Sequence, residues 1–69
     1  MASEYDTLTG RELRSLDQAS HGVTERESAD LFHVSFEAAK DYRRQVRRKM
    51  RARNMTHAVA LALRRGIIV

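Results

Sequence analysis

Two helix-start signals constrain the fold of this chain more than any other feature. In "TGRE" and again in "TERE" a threonine precedes a glutamate by three residues, the capping-box pattern that places Thr9 and Thr24 at helix N-caps. Leu8 and Leu13 flank the first box as a hydrophobic staple requires. The chain has no proline, and its β-branched residues form no alternating runs. An all-helical domain is predicted.

Capping and stop residues define the remaining helices. Gly22 is a natural stop for the first helix, Ser35 and Asn54 are N-caps of a third and a fourth, and Gly66 closes the last. The predicted helices cover about residues 10–20, 25–32, 36–52 and 55–65. We expect residues 1–7 to be a flexible N-terminal segment and residues 8–69 a single all-α domain. Since a chain of 69 residues without cysteine buries little surface and has no disulfide, a partner or a second copy would add stability.

The charges are divided unequally along the chain. Residues 1–39 hold eight acids and three basic residues, a balance of −5, whereas residues 40–69 hold ten basic residues and one acid, a balance of +9. Such a division gives one face a strong positive field and favours a polyanionic partner. An ordinary solvated helix face is the alternative interpretation.

The third predicted helix is amphipathic, with a basic polar face. At 100° per residue, one stripe can face a core and consists of Ala39, Tyr42, Val46 and Met50. The other face consists of Glu37, Lys40, Arg44, Arg47, Arg48 and Arg51. A short helix, a tight turn and a longer basic helix are the arrangement in which a helix-turn-helix presents its second helix to the major groove.

Several residues match a known family in order and spacing. They are Leu8–Glu12, Gly22, Glu27, Ala29, Ser35, Lys49–Met50 and Ala58–Val59. From Leu8 to about Gly66 the chain resembles the DNA-binding domain of the LuxR/GerE-type helix-turn-helix regulators. It departs from them at Ser28, where an aliphatic residue is usual, and at Ala38–Ala39, Tyr42 and Met55, which replace a threonine-valine pair, a histidine and an arginine. We therefore expect a weaker core.

The resemblance implies sequence-specific binding of double-stranded DNA by a small transcriptional regulator, with residues 36–52 in the major groove. The positions that contact base edges in similar domains correspond to Lys40, Asp41 and Arg44. Lys40 and Arg44 can donate to guanine O6 and N7. Asp41 has three possible roles: accepting from cytosine N4, orienting a neighbouring arginine or Gln45, or facing solvent.

Phosphate contacts are expected from two kinds of residue. Helix starts offer hydroxyls and backbone N–H groups that favour an anion, and basic side chains supply charge. The expected set is Thr24, Ser35, Arg43, Arg47, Lys49, Arg51 and Arg53.

The last predicted helix is apolar on more than one face. Similar domains pair through this helix across a two-fold axis, which implies a homodimer on paired half-sites. The expected interface consists of Met55, Val59, Ala62 and Leu63. Alternatively, the extra apolar residues complete a small core.

Other function classes are disfavoured. The histidines His21, His33 and His57 lie in separate segments, and neither a phosphate loop nor a nucleophile motif is present, so we expect no enzyme, metal or cofactor. The N-terminus does not have the pattern of a signal peptide and no long apolar run occurs, which predicts a cytoplasmic protein without membrane contact. The DNA binding that the resemblance implies would make it nucleoid-associated. The short segment before Leu8 favours a stand-alone, GerE-like regulator, and the arginine- and alanine-rich composition favours a bacterial or phage source.

One rival function is kept open. The acidic N-terminal half could make the chain a helix-turn-helix protein-interaction module that acts on RNA polymerase, a sigma factor or another regulator. Selection of bound sequences from a random duplex pool distinguishes the two functions.

Overall fold

The computed structural model describes residues 8–69, in which the regular elements are four α-helices. They are α1 (Gly10–Ser20), α2 (Glu25–Phe32), α3 (Phe36–Met50) and α4 (Met55–Arg64). The predicted all-α class and all four helix starts are confirmed. The predicted flexible segment at residues 1–7 lies outside the described residues. Within residues 8–69, no helix has the length and apolar character needed to span a membrane.

Local capping bonds set the start of every helix. Thr9 Oγ1 accepts from the Glu12 amide at 3.1 Å, and the Thr9 amide donates to Glu12 Oε1 at 3.0 Å. The Thr24–Glu27 box repeats these bonds at 3.1 and 2.9 Å. Single caps begin the other two helices, with Ser35 Oγ accepting at 3.1 Å and Asn54 Oδ1 at 2.8 Å from the amide three residues on. Both capping boxes predicted from the sequence are present.

All four helices end in the same hydrogen-bonded turn, in which one residue has positive φ and the next amide bonds five residues back. Gly22 and Gly66 occupy the positive-φ position after α1 and α4, but His33 and Arg51 occupy it after α2 and α3. Arg51 has φ 56°, and the Ala52 amide donates to the Arg47 carbonyl at 2.9 Å. For this reason α3 ends at Met50, two residues before its predicted end.

The core lies where α3 packs against each of the other three helices. Its main cluster consists of Leu16, Val46, Met50, Ala58, Ala62 and Ile68. The apolar stripe predicted on α3 is confirmed, because Ala39, Val46 and Met50 are buried and Tyr42 is half-buried. α2 packs on α3 partly through Phe32, whose ring meets the Tyr42 ring edge-on at 5.6 Å. The buried side of α3 therefore fixes which of its residues face outward.

Candidate nucleic-acid interface

The outward side of α3 carries a basic ridge. Arg44 and Arg48 are exposed on the helix, Lys40 and Arg47 are half-exposed, and the exposed Arg51 and Arg53 extend the ridge past the helix end. Arg51 keeps further interactions within the protein. Since the opposite stripe of α3 is buried in the core, this ridge cannot turn inward without unfolding the domain. We define the basic ridge as Lys40, Arg44, Arg47, Arg48, Arg51 and Arg53.

The three residues expected at base edges lie together at the N-terminal half of the ridge. Arg44 Nη1 donates to Asp41 Oδ1 at 3.0 Å, and the two side chains are each about half exposed. Lys40 Nζ lies 4.0 Å from Glu37 Oε1. Of the three roles considered for Asp41, the structure shows the orientation of a neighbouring arginine.

A second arginine of the ridge is held in a similar way. Gln45 Oε1 accepts from Arg48 Nε at 2.9 Å and from Arg48 Nη2 at 2.7 Å. The helical projection placed Arg48 on the basic face, but neither Arg48 nor Gln45 was among the predicted DNA contacts. The i, i+3 spacing of an acceptor and an arginine on one helix face was the signal that could have found the pair.

An aromatic side chain stands between two cations at the start of α3. The Arg26 guanidinium lies 4.6 Å from the centroid of the Phe36 ring, and Lys40 Nζ lies 5.4 Å from it. Both distances are within the range of a cation–π interaction. Arg26 of α2 therefore lies next to the N-terminal end of the ridge. Helical periodicity alone does not predict this position, because the contact joins residues of two helices.

Thr24 and Ser35 are exposed at the starts of α2 and α3, as the predicted phosphate contacts require. Each hydroxyl oxygen accepts a capping bond, which leaves its hydrogen for a further acceptor. The two termini differ in charge, however. The backbone and side-chain hydrogen bonds between Glu27 and Thr24 lower the pKa of Glu27, which keeps its carboxylate ionised beside Thr24. The first turn of α2 holds two acids, Glu25 and Glu27, whereas that of α3 holds one, Glu37, which lies 4.0 Å from Lys40 Nζ. Ser35 is thus the better anion site of the two.

Arg43 corrects the sequence prediction, because its side chain lies inside the domain. It is 6% exposed, and its Nη2 donates to the Val23 carbonyl at 2.7 Å and to Ser28 Oγ at 2.9 Å. Ser28 Oγ in turn donates to Gln18 Oε1 at 2.5 Å. Burial lowers the pKa of Arg43, and the charge of Glu25 partly offsets that effect. A guanidinium held in this network does not reach a phosphate on the outer face.

The same network explains one departure from the resembled domains. Ser28, which stands where an aliphatic residue is usual, is fully buried and supplies an acceptor for Arg43. A polar side chain at this position is stable only with such a partner. Arg43 Nε and Ser15 Oγ are buried without a hydrogen-bond partner in the described structure. The polar core is therefore only partly satisfied.

Lys49 is the second predicted phosphate contact that the structure contradicts. Its Nζ lies 2.7 Å from Glu12 Oε1, and the two side chains are only 18% and 8% exposed. Burial alone would raise the pKa of Glu12, but hydrogen bonds from Lys49 and Thr9 and the charge of Lys49 outweigh it and lower the pKa. Lys49 thus links α3 to the start of α1, so we remove it from the set of phosphate contacts.

The expected dimer interface on α4 is only partly at the surface. Ala62 is fully buried in the core, which corrects its assignment to the interface. Met55 and Val59 are half-buried and pack against the core cluster, while Leu63 is 49% exposed. The alternative, that apolar residues of α4 complete the core, therefore holds for Ala62 and in part for Met55 and Val59. Leu63 is the exposed apolar member.

Comparison with known proteins gives one informative similarity. No family model matches the chain, and no solved structure matches it. The chain is 39% identical over 61 residues to the transcriptional activator protein BjaR1 of Bradyrhizobium diazoefficiens. The match covers 88% of this chain and 25% of the relative, so the chain spans about a quarter of that protein's length. Together with the four-helix fold, it confirms the resemblance to the LuxR/GerE-type helix-turn-helix domains.

Proposed function

We propose that this chain, similar to LuxR/GerE-type helix-turn-helix domains, is the DNA-binding domain of a transcription regulator and places α3 in the major groove. One observation carries the proposal. α3 is anchored by a buried stripe, and its opposite side presents the basic ridge with Lys40, Asp41 and Arg44. A helix docked in this way can enter a groove as a rigid unit. Binding to the nucleoid would place the protein in the cytoplasm, and the role requires no catalytic activity.

Phosphate contacts in this mechanism come from the outer rows of the site. Arg47, Arg51 and Arg53 supply charge, and Ser35 and Thr24 supply hydroxyls at helix starts. Arg26 and Arg48 join this set, because Arg26 lies on the Phe36 ring next to Ser35 and Arg48 is an exposed member of the ridge. Such contacts fix the register of the helix on the duplex, and base contacts then supply the sequence preference.

We further propose a homodimer that pairs through α4 on two half-sites. The exposed Leu63 and the half-buried Val59 are four residues apart and share a face of this helix. Met55, one turn earlier, extends that face. Pairing would bury apolar surface that a domain of 69 residues does not cover by itself.

Selection from a random duplex pool tests DNA reading. We expect a motif with two related halves, because a two-fold dimer reads each half with the same α3. Arg44→Ala should weaken the motif, whereas Arg14→Ala, an exposed arginine on α1, should leave it unchanged. Recovery of unrelated sequences with only salt-sensitive background would refute a sequence-reading function.

A protein-interaction role is the second candidate, and one surface favours it. Leu31 of α2 is 61% exposed and lines a shallow pocket with Val23, Glu27 and Asp30. An apolar side chain among acids suits a basic partner surface on RNA polymerase, a sigma factor or another regulator. If this is the main function, Leu31→Ala abolishes capture of RNA polymerase, of its sigma factor or of the partner regulator without added DNA, while the random pool yields no motif.

A further inference from the structure

Three pairs of an acceptor and a cation follow one another along the outer side of α3. They are Glu37–Lys40 at 4.0 Å, Asp41–Arg44 at 3.0 Å and Gln45–Arg48 at 2.7 and 2.9 Å. The pairs recur every four residues, so the acceptors form one row on the helix and the cations form a neighbouring row. A groove-facing surface of this kind presents hydrogen-bond acceptors as well as donors.

The pairs differ in the atoms that they leave for DNA. Arg48 uses Nε and Nη2 on Gln45 Oε1, so its Nε–Nη2 edge, which could donate to guanine in bidentate fashion, is occupied. The same bonds occupy the amide oxygen that Gln45 would need to read adenine. In the other arginine pair, the bond joins Arg44 Nη1 to Asp41 Oδ1. The Nε–Nη2 edge of Arg44 and Asp41 Oδ2 take no part in it.

We propose that Asp41 and Arg44 act as one unit that reads a G·C base pair, an inference that rests on the proposed function. The Nε–Nη2 edge of Arg44 donates to guanine O6 and N7, and Asp41 Oδ2 accepts from N4 of the paired cytosine. Asp41 is thus a base-reading residue and also the residue that positions Arg44.

The major-groove edges of the base pairs explain the choice of G·C. Guanine offers two acceptors side by side and cytosine one donor, so the pair Asp41–Arg44 makes three hydrogen bonds with this edge. Adenine offers only N7 beside its own N6 donor, and thymine offers O4, an acceptor that opposes the carboxylate. An A·T pair in the same place loses at least one charge-assisted bond and leaves a charged group unpaired.

The bond between the two side chains also prepares the unit for binding. An exposed ion pair at i, i+3 adds little to folding. It does favour one orientation of the Arg44 guanidinium before DNA arrives, which reduces the ordering that binding requires.

Substitution of Asp41 tests the unit on duplexes in which each G·C pair of the selected site is replaced in turn by A·T. For the unaltered protein, one replacement per half-site should weaken binding about tenfold or more. Asp41→Ala should reduce that ratio at least threefold at the same pair. Asp30→Ala, the same charge change at an exposed acid of α2, should leave every ratio unchanged.

The outcomes separate the inference from the proposed function. If Asp41→Ala strengthens binding to all duplexes equally and keeps the G·C ratio, the carboxylate is a bystander and the inference is wrong, while DNA reading stands. If the unaltered protein shows no base preference at any position, the proposed function itself fails. Arg44→Lys should lower the same ratio, because an ammonium lacks the planar two-donor edge.

Discussion

Arg43 and Arg44 are adjacent arginines in opposite environments. Side chains next to each other on a helix point about 100° apart, so Arg43 reaches the Val23 carbonyl in the interior while Arg44 reaches Asp41 at the surface. The buried guanidinium has neutral acceptors and no carboxylate within ion-pair distance among the described residues. Its contribution is to link the turn before α2 to α3, and it depends on those acceptors.

Arg43→Ala should therefore lower stability, whereas Arg44→Ala should not. Removing a buried charged donor leaves the Val23 carbonyl without its partner, which should reduce the free energy of unfolding by about 2–3 kcal/mol. The exposed Arg44 should change it by less than about 0.5 kcal/mol. Urea unfolding followed by circular dichroism measures both. If Arg43→Ala were as stable as the unaltered protein but bound DNA more weakly, Arg43 would be a phosphate contact on the outer face, as the sequence predicted.

The ion pair between Glu12 and Lys49 should make stability depend on pH. Because the pKa of Glu12 is lower in the folded state than in the unfolded chain, the ionised pair stabilises the fold above about pH 4.5. That contribution is lost as the pH falls through the lower, folded-state pKa. Unfolding by urea at a series of pH values should show this loss.

Glu12→Gln is the matched variant for this dependence. It keeps the size of the side chain but removes the charge, so it should be about 1–3 kcal/mol less stable at pH 7 and should lose less stability on acidification. Parallel pH curves for the two proteins would mean that Glu12 and Lys49 do not stabilise the fold as an ion pair.

The burial of Arg43 and Lys49 was only partly predictable from the sequence. Arg43 follows Ala39 by four residues and precedes Val46 by three, so helical spacing already put it on the buried stripe. The sequence interpretation gave more weight to residue type than to helical spacing, and so placed every arginine of the third helix on the outside. The partners Glu12 and Ser28 come from other helices, and only the packing of α1 and α2 on α3 brings them close.

At the scale of elements, helix starts and helix ends follow different rules. Each start is set by a side-chain cap three residues from its partner, so the sequence predicts it directly. The ends after α2 and α3 place His33 and Arg51 at φ 57° and 56°, where glycine is the usual residue. Because a non-glycine residue gives no stop signal, the predicted end of α3 came two residues late.

Glycine at these two positions should stabilise the domain. His33→Gly and Arg51→Gly each relieve a left-handed backbone conformation, and each should raise the free energy of unfolding by about 0.5–1 kcal/mol after the entropy cost of glycine. Only Arg51→Gly should weaken DNA binding, since Arg51 belongs to the basic ridge. Thermal unfolding and fluorescence anisotropy measure the two effects. A loss of stability in both variants would show that the C-terminal turns are not strained.

At the scale of the whole molecule, the domain has two separate outward surfaces. The basic ridge follows α3 and the turn after it and holds six of the ten basic residues of positions 40–69, and an apolar face remains on α4. The fold measures 34 × 21 × 19 Å, so both surfaces lie on a body small enough to occupy one half-site. A dimer through α4 would present two ridges to one duplex.

Two variants with the same leucine-to-glutamate change test the dimer. The unaltered protein should give two chains per palindromic duplex in sedimentation velocity, and Leu63→Glu should give one, because an interface does not tolerate an unpaired carboxylate. Leu31→Glu alters another exposed leucine, on α2, and should keep two chains. Two chains with Leu63→Glu, or one chain with the unaltered protein, would contradict pairing through α4.

The salt dependence of DNA binding tests the central claim most directly. Each chain offers five arginines to phosphates, so the logarithm of the association constant should fall against log salt with a slope of about −9 for two bound chains between about 50 and 200 mM salt. They are Arg26, Arg47, Arg48, Arg51 and Arg53. Arg47→Ala should make that slope less negative by about one per chain. A slope near zero, or one that Arg47→Ala leaves unchanged, would contradict binding through the basic ridge of α3.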